Sequence, residues 1–248
     1  MIYNSRLEGD SFFWEGGPTG ILLVHGFTAT TAEVRPLARY LNERGYAVAG
    51  PLLPGHLTTP EDANRHSWKE WAETVEASYR QLCSCCLQVV VGGESAGAVL
   101  ALYLASMYPE VAAILAYAPA LRLKIRRREI VRLRFAALFR PHLPKRNFRH
   151  DPLWQGYPVY PLRGAVELLR LQRATEARLS AICQPLFIAQ GRLDETVDPR
   201  VPELLVKKTR SQIKAVYWME SSAHCVILDR EREQVAELTV QFLDRVLA

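Results

Sequence analysis

Long apolar runs are missing from this sequence of 248 residues. No stretch reaches the roughly 20 apolar residues that a membrane-spanning helix needs. The N-terminal segment MIYNSRLEGDSFFWEGG carries charges where a secretory signal peptide has an apolar stretch. Internal repeats are also absent. We therefore expect a soluble, cytoplasmic protein, and we exclude membrane-spanning and repeat architectures.

Cysteine is scarce, and five copies cannot all pair within one chain. Three of them crowd into CSCC at 83–86, with no histidine close by. A structural zinc site normally takes two pairs of ligands spaced along the chain, so this cluster fits zinc poorly. We expect reduced thiols, which suit a reducing cytosol, and no bound metal.

Acidic residues are rare in one segment only. Residues 122–178 hold 15 Lys/Arg and 4 Asp/Glu, a net charge of +11, whereas the rest of the chain holds 16 and 22, a net charge of −6. The whole chain therefore has a net charge of +5. This asymmetry predicts a basic module inserted into a mildly acidic body.

The sequence does contain short apolar runs that alternate with helical patterns. Runs typical of buried strands are GILLVHG, YAVAGPLLPGH, QVVVGG, VAAILAYAPAL, PLFIAQG and AVYWM. The stretches between them, such as 32–45 and 59–82, have apolar residues at helical spacing. This alternation predicts an α/β fold, with a mostly parallel central sheet flanked by helices on both faces.

The pattern Gly-x-Ser-x-Gly is centred on Ser95, between a predicted strand and a predicted helix. By itself the pattern also fits an ordinary glycine-rich turn. The strand–turn–helix setting, however, is that of a nucleophile elbow, in which a sharp turn holds the serine hydroxyl above the sheet. Bulky residues at positions 93 and 97 would collide with the neighbouring strand and helix. We predict that Ser95 is a nucleophile.

A serine nucleophile needs a base, and the base needs an acid that orients it. His224 is the candidate base because it follows a predicted strand, whereas His142 and His150 lie in the basic segment. Asp194, just past the strand LFIAQG, is the favoured acid, and the fold's order of Ser, Asp and His agrees with this choice. Asp198 is the alternative acid, although its place before Pro199 suits a helix cap.

The developing oxyanion needs two hydrogen-bond donors. The backbone N–H of Ala96, directly after the nucleophile, is the first candidate. The second is the N–H of Phe27, in the loop after the first core strand. We expect His25 to be structural, and we expect Glu94 to point away from the base and make a supporting polar contact.

Together these motifs resemble those of the α/β-hydrolase superfamily, and more narrowly the small bacterial carboxylesterases and monoacylglycerol lipases. The stretches that carry the resemblance are LLVHGFTATTAEVRPLARYLNERGYAVAGPLLPGH, TPED, VVVGGESAG, GRLDETVDP and YWMESSAHCVILD. The resemblance implies a core of residues 1–121 and 179–248, with 122–178 as a small helical cap over the site. The chain departs from many relatives at Leu57, where they have glycine. Its Glu-Ser-Ala centre is similar to the hormone-sensitive-lipase branch, whose His-Gly-Gly-Gly stretch is absent here.

The basic charge of the cap has three interpretations. It could be a solvated arginine face that stabilises the cap, a surface that settles on anionic membranes, or a means of steering anionic substrates. An apolar inner face would cover the acyl pocket. Nucleic acid is not an expected partner, because the charge lies on a cap over an apolar site and in no recognised nucleic-acid motif.

The residues and the resemblance predict a serine hydrolase that cleaves carboxylic esters through an acyl-enzyme, with no cofactor. The implied substrates are small esters or lipids, namely short- to medium-chain acyl esters or monoacylglycerols. A thioesterase or peptidase could use the same triad, since fold and triad do not separate these activities. A non-catalytic ligand-binding protein with this fold is the remaining alternative.

Overall fold

A seven-stranded sheet runs through the centre of the computed structural model, which describes residues 2–145 and 151–247. In spatial order the strands are β1 (Phe12–Trp14), β3 (Ala47–Gly50), β2 (Thr19–Val24), β4 (Gln88–Glu94), β5 (Ala113–Tyr117), β8 (Leu186–Gly191) and β9 (Lys214–Met219). Only β1 pairs antiparallel. The predicted mostly parallel sheet is confirmed. His150, one of the weaker candidate bases, lies outside the described residues.

Helices cover both faces of the sheet. One face packs against α1 (Arg35–Asn42) and α8 (Arg232–Val246). The other packs against α3 (Trp68–Cys83), α4 (Ala96–Ala105), α6 (Leu162–Glu176) and α7 (Val201–Lys208). Alternate residues of β2 belong to different cores, with Ile21 on the first face and Leu22 on the second. Strands buried on both faces read as continuous apolar runs, which explains why β4 and β5 have no polar alternation.

Local capping signals place the helix starts. Ser67 and Glu70 form a capping box at the start of α3, and Thr59 caps the short helix α2 (Pro60–Ala63). Helix α4 begins directly after Ser95, so its N-terminus faces the edge where the parallel strands end. In the described part of the chain, no helix is both long and apolar enough to cross a membrane.

The basic segment lies between β5 and β8. It contains α5 (Arg127–Phe139), the hairpin strands β6 (His142–Pro144) and β7 (Val159–Pro161), and α6. Helix α6 shares the core with α3 and α4 through Leu168 and Leu171, so this part of the basic segment packs on the body of the protein. The division into core and cap at 122 and 178 stays a prediction.

Helix α5 carries apolar side chains on its outward face as well as its inward one. Ala137 is buried against the body, whereas Val131, Phe135, Leu138 and Phe139 are between 65% and 72% exposed. The expected inner apolar face therefore accounts for only part of the apolar residues of α5. A helix that is apolar on its solvent side has an unusual surface for a protein in water.

Candidate active site

The turn at Ser95 has the backbone geometry of a sharp elbow. Ser95 has φ 57° and ψ −112°, in a region that residues with a side chain rarely occupy. A Cβ atom at Gly93 or at Gly97 would collide with the carbonyl oxygen of Val24, the last residue of β2. This confirms that positions 93 and 97 require small residues, and it explains how the turn holds Ser95 at the end of the sheet.

Ser95, His224 and Asp194 lie in one hydrogen-bonded row. Ser95 Oγ is 2.8 Å from His224 Nε2, and His224 Nδ1 is 2.9 Å from Asp194 Oδ2. The first distance lies within the reach needed for proton transfer, and the second holds the ring in one orientation. The structure therefore brings together three residues that are separated by up to 129 positions in the chain.

Asp194 is held as a charged acceptor. Its Oδ1 accepts the backbone N–H groups of Thr196 at 2.7 Å and Val197 at 3.1 Å, and its Oδ2 also accepts from Gln190 Nε2 at 2.8 Å. Burial favours the protonated carboxyl, but the hydrogen bond from His224 and these amides outweigh it, so the pKa of Asp194 lies below its usual value. A charged Asp194 stabilises the protonated ring of His224 during a reaction.

The loop that carries His224 is anchored by two carboxylates. Glu231 accepts the N–H groups of Glu220 and Ser221, and Asp229 accepts the N–H of Ala223 at 2.7 Å. These bonds hold the turn at 220–221 and the residue directly before His224. The position of the imidazole is thus determined by the loop backbone as well as by Asp194.

The loop after β2 has one unused amide. Gly26 N–H donates to Glu33, Thr28 N–H donates to His56 Nε2, and Ala29 N–H donates to the Gly26 carbonyl. Among the described residues, Phe27 N–H has no acceptor. The N–H of Ala96 has no acceptor within α4, because the first amides of a helix never do. Both predicted oxyanion donors are therefore available to donate to a partner, and Ala96 directly follows Ser95 in the chain.

Two buried histidines support that loop. His25 accepts the N–H of Leu53 at 3.1 Å, His56 accepts the N–H of Thr28 at 3.2 Å, and the two rings meet edge to face at 4.9 Å. Burial lowers the pKa of His25 to about 3 and that of His56 to about 4, so both rings are neutral at physiological pH. The expectation that His25 is structural is confirmed. His56 was not predicted to contact the loop, and its place in Gly55-His56-Leu57 was the only sequence signal.

Glu94 is fully buried beside Ser95, and its hydrogen bond is made with Ile227 rather than with His224. Its Oε2 accepts the N–H of Ile227 at 3.4 Å, which is the supporting contact that the sequence predicted. Its Oε1 has no partner in the described part of the chain. Burial and the nearby Glu33 carboxylate raise the pKa of Glu94 well above its usual value, so the site favours the protonated form of this side chain.

The basic segment contributes a polar cluster that no sequence pattern indicated. Lys145 Nζ donates to Thr28 Oγ1 at 2.6 Å and lies 4.4 Å above the ring of Trp154. Burial lowers the pKa of Lys145 to about 8. Tyr157 Oη donates to the Gly55 carbonyl. No local pattern signals such contacts, because they connect positions about a hundred residues apart.

The competing candidates lie elsewhere. Asp198 pairs with Arg200, and His142 pairs with Glu61 at 3.2 Å. Cys83 and Cys85 are exposed thiols. Over residues 2–145 and 151–247, no group of three or more His, Cys, Asp or Glu residues is placed to hold a metal ion.

A mostly parallel sheet with a serine at a strand-to-helix elbow, facing a histidine and a carboxylate from later strand ends, defines an α/β-hydrolase. The chain belongs to the hydrolase family whose model, described as serine aminopeptidase S33, matches residues 19–231. It is 30% identical to a thermostable monoacylglycerol lipase of Bacillus sp. (strain H-257), over 94% of this chain and 93% of that protein. It is 28% identical to a carboxylesterase of Bacillus subtilis (strain 168), over 95% of this chain and 96% of that protein.

Solved structures agree in fold. A metagenome-derived lipolytic enzyme superposes with a TM-score of 0.88 at 29% identity, over 96% of this chain and 99% of that one. A monoacylglycerol lipase of Paleococcus ferrophilus superposes with a TM-score of 0.79 at 18% identity, over 96% and 98% of the two chains. The protein is thus an enzyme, a serine hydrolase similar to carboxylesterases and monoacylglycerol lipases.

Proposed function

We propose that the enzyme hydrolyses carboxylic esters, namely short- to medium-chain acyl esters or monoacylglycerols, on a triad of Ser95, His224 and Asp194. The observation that supports this most strongly is the row of hydrogen bonds of 2.8 and 2.9 Å that joins the three side chains. The names of the relatives favour an ester as the substrate.

In the first half of the reaction, Ser95 Oγ attacks the acyl carbonyl while His224 Nε2 takes its proton. The N–H groups of Phe27 and Ala96 donate to the oxyanion of the tetrahedral intermediate. His224 then gives the proton to the leaving alcohol, and the acyl group stays on Ser95. The negative charge of Asp194 stabilises the imidazolium throughout this exchange.

In the second half, water replaces the alcohol. His224 takes a proton from the water, which attacks the acyl carbon and forms a second tetrahedral intermediate in the same oxyanion site. The proton returns to Ser95 Oγ as the acid leaves. The elbow geometry at Ser95 needs no change between the two halves, so one arrangement of donors supports both steps.

The direct test is hydrolysis of p-nitrophenyl esters of increasing acyl length by the wild-type enzyme and by Ser95→Ala. We expect the turnover of Ser95→Ala to fall by about six orders of magnitude, as in other serine triads. Wild-type activity retained in Ser95→Ala would contradict the mechanism. Matched thioester and p-nitroanilide substrates test the thioesterase and peptidase alternatives, and a faster reaction on either would contradict the ester assignment. A wild-type chain that hydrolyses none of them would support a ligand-binding role.

We further propose that the outer face of α5 contacts anionic membranes that contain the lipid substrate. The exposed side chains of Phe135 and Phe139 lie together, with ring centroids 5.1 Å apart. Exposed Arg128 and Arg132 belong to the same helix. Apolar side chains flanked by arginine on one helix face match the hydrophobic interior and the anionic headgroups of a lipid surface.

Co-sedimentation with phosphatidylcholine vesicles, with and without phosphatidylglycerol, tests this contact. We expect binding only to the anionic vesicles, with weaker binding at high salt because screening reduces the arginine attraction. The variant Phe135→Ser/Phe139→Ser should lose binding. Leu87→Ser is the matched control, since Leu87 is 90% exposed but precedes β4 at the opposite edge of the sheet. Equal losses in both variants, or no binding by the wild type, would contradict the proposal.

A further inference from the structure

The carboxyl group of Glu33 is buried directly behind the candidate oxyanion loop. Glu33 ends a short 3-10 helix at Thr31–Glu33 and is only 2% exposed. Its Oε2 accepts the N–H of Gly26 at 2.6 Å. Its Oε1 accepts Trp154 Nε1–H at 3.1 Å and has a weaker contact with the thiol of Cys225 at 3.7 Å.

These partners come from three separate segments of the chain, and two of the segments lie next to Ser95. Gly26 precedes the proposed oxyanion donor Phe27, Cys225 follows His224, and Trp154 belongs to the segment between β6 and β7. The loop packs closely on the nucleophile, because a Cβ atom at Gly26 would lie 3.3 Å from Ser95 Cβ. One carboxyl group therefore connects the loop that would hold the oxyanion to the loop that carries the base.

Gly26 needs such a connection for a physical reason. A glycine has no side chain to restrict its backbone dihedral angles, so the direction of the next amide, that of Phe27, is only weakly determined by local sterics. The hydrogen bond from Gly26 N–H to Glu33 restricts the backbone on one side of that amide. The bond from Thr28 N–H to His56 restricts it on the other side.

The hydrogen bonds and nearby charges favour the charged form of Glu33 over that of Glu94. Burial raises its pKa, while the N–H of Gly26, the ring of His224, Trp154 Nε1–H and the Lys145 ammonium oppose that rise. Glu94, the neighbouring carboxyl, has a single long hydrogen bond and a more strongly raised pKa. Like charges disfavour each other's ionisation, so of these two buried carboxyls Glu33, which has the donors, is the one whose charged form is better stabilised.

We propose that Glu33 is a positioning residue that holds the Gly26–Phe27 backbone so that the N–H of Phe27 points at the oxyanion. This inference rests on the proposed ester hydrolysis. It assigns no contact between Glu33 and the substrate. Removing the acceptor for Gly26 should therefore weaken binding of the transition state much more than binding of the substrate.

A pair of neutral variants isolates the acceptor. In the Trp154→Phe background the indole donor is gone, so the amide oxygen of Glu33→Gln can accept from Gly26 N–H without forcing its NH₂ group against another donor. Glu33→Leu in the same background has a similar volume and no acceptor. The two double variants thus share the loss of charge and differ in the Gly26 hydrogen bond.

The readouts are kcat and KM for p-nitrophenyl butyrate and the inhibition constant of a trifluoromethyl ketone analogue of the tetrahedral intermediate. We expect Glu33→Leu/Trp154→Phe to have a kcat lower than that of Glu33→Gln/Trp154→Phe by about 10- to 100-fold, since losing a whole oxyanion donor costs about 10²–10³. KM should differ little, and affinity for the analogue should fall in parallel with kcat/KM. Trp154→Phe alone is the matched control and should keep a kcat close to that of the wild type.

Active-site titration with a fluorophosphonate expresses kcat per reactive serine, so a loss of folded enzyme does not count as a loss of catalysis. If Glu33→Leu/Trp154→Phe does not fold, single Glu33→Gln is compared with the wild type instead. Its one amide oxygen cannot accept from both Gly26 and Trp154, so we expect a similar loss in kcat. Equal kcat and equal analogue affinity in the two double variants, or in Glu33→Gln and the wild type where the fallback is used, would overturn the role of Glu33. The proposed ester hydrolysis would remain intact. A wild-type enzyme that neither hydrolyses esters nor reacts with the fluorophosphonate would instead overturn the proposed function, and the inference with it.

Discussion

Asp194 Oδ2 lies 2.9 Å from His224 Nδ1, in a pocket where two backbone amides hold the other carboxylate oxygen. Asp198, only four residues further along the chain, instead accepts two hydrogen bonds from the Arg200 side chain. The ion pair with Arg200 lowers the pKa of Asp198 and accounts for its charge without reference to the site. The two acids that follow β8 therefore have separate partners.

The two acids should respond differently to the same substitution. We expect Asp194→Asn to lower kcat by about 10⁴, because an amide at this position favours the wrong tautomer of His224. Asp198→Asn loses a partly exposed ion pair and should change kcat by no more than about twofold. Ester hydrolysis per titrated active site measures both. A large loss in Asp198→Asn with a small one in Asp194→Asn would contradict the assignment of the acid.

The buried rings of His25 and His56 should make the enzyme sensitive to acid. Their folded-state pKa values of about 3 and 4 lie below the ordinary value of 6.5, so the unfolded chain binds more protons between these limits and stability falls as the pH falls. In His56→Gln one such ring is removed. The stability of the wild type relative to His56→Gln should decrease by about 1.4 kcal/mol per pH unit from pH 6.5 to 4.

Urea unfolding of both proteins across this pH range checks the prediction. Buried carboxyls with raised pKa values give the stability of both proteins a pH dependence of the opposite sign. Taking the difference between the wild type and His56→Gln removes that shared contribution. A constant difference between the two proteins from pH 6.5 to 4 would show that His56 is not held in its neutral form.

Glu94→Gln should have its effect at the other end of the pH scale. The raised folded-state pKa of Glu94 means that its stabilising contribution is complete below the ordinary value of 4.5 and is lost as the pH rises through the folded pKa. Glutamine stays neutral and keeps an acceptor for Ile227 N–H. The stability of Glu94→Gln relative to the wild type should increase as the pH rises above 4.5, as measured by thermal unfolding, and a pH-independent difference would contradict a raised pKa of Glu94.

Leu57 should be a site of backbone strain. It has φ 60°, in the left-handed region, where a β-carbon costs about 1–2 kcal/mol. Leu57→Gly and Leu57→Ala both remove the side chain beyond Cβ, but only glycine also removes Cβ and with it the strain. We expect Leu57→Gly to be more stable than Leu57→Ala by up to about 1 kcal/mol in urea unfolding, after the entropy cost of glycine in the unfolded chain.

Much of the site could be predicted because its members follow strands. Ser95, Asp194 and His224 each lie just after an apolar run, and parallel strands bring their carboxyl ends to one edge of the sheet. The elbow could also be predicted from the sequence, because glycine is needed at Gly93 and Gly97, where the chain passes the Val24 carbonyl. Each of these signals is local in the sequence. The alternation of strands and helices then predicts that the separate positions meet at one edge of the sheet.

The supporting network could not be predicted in the same way. Glu33 reads as an ordinary helix-start acid in the sequence, yet it is buried against Trp154, which lies 121 positions away. Lys145 reads as one more basic residue of the cap, yet it donates to Thr28 beside the oxyanion loop. Nothing in the spacing of either residue distinguishes it from a solvated charge.

The sequence by itself thus determined the α/β architecture and the order of the three triad candidates, because strand, turn and helix signals are local. Only the tertiary structure decided which buried carboxyl has donors, which helix face is exposed on α5, and which residues hold the loop at Gly26. Those properties depend on burial and on contacts between distant segments. A hydrogen-bond partner or a desolvated charge exists only after the chain has packed.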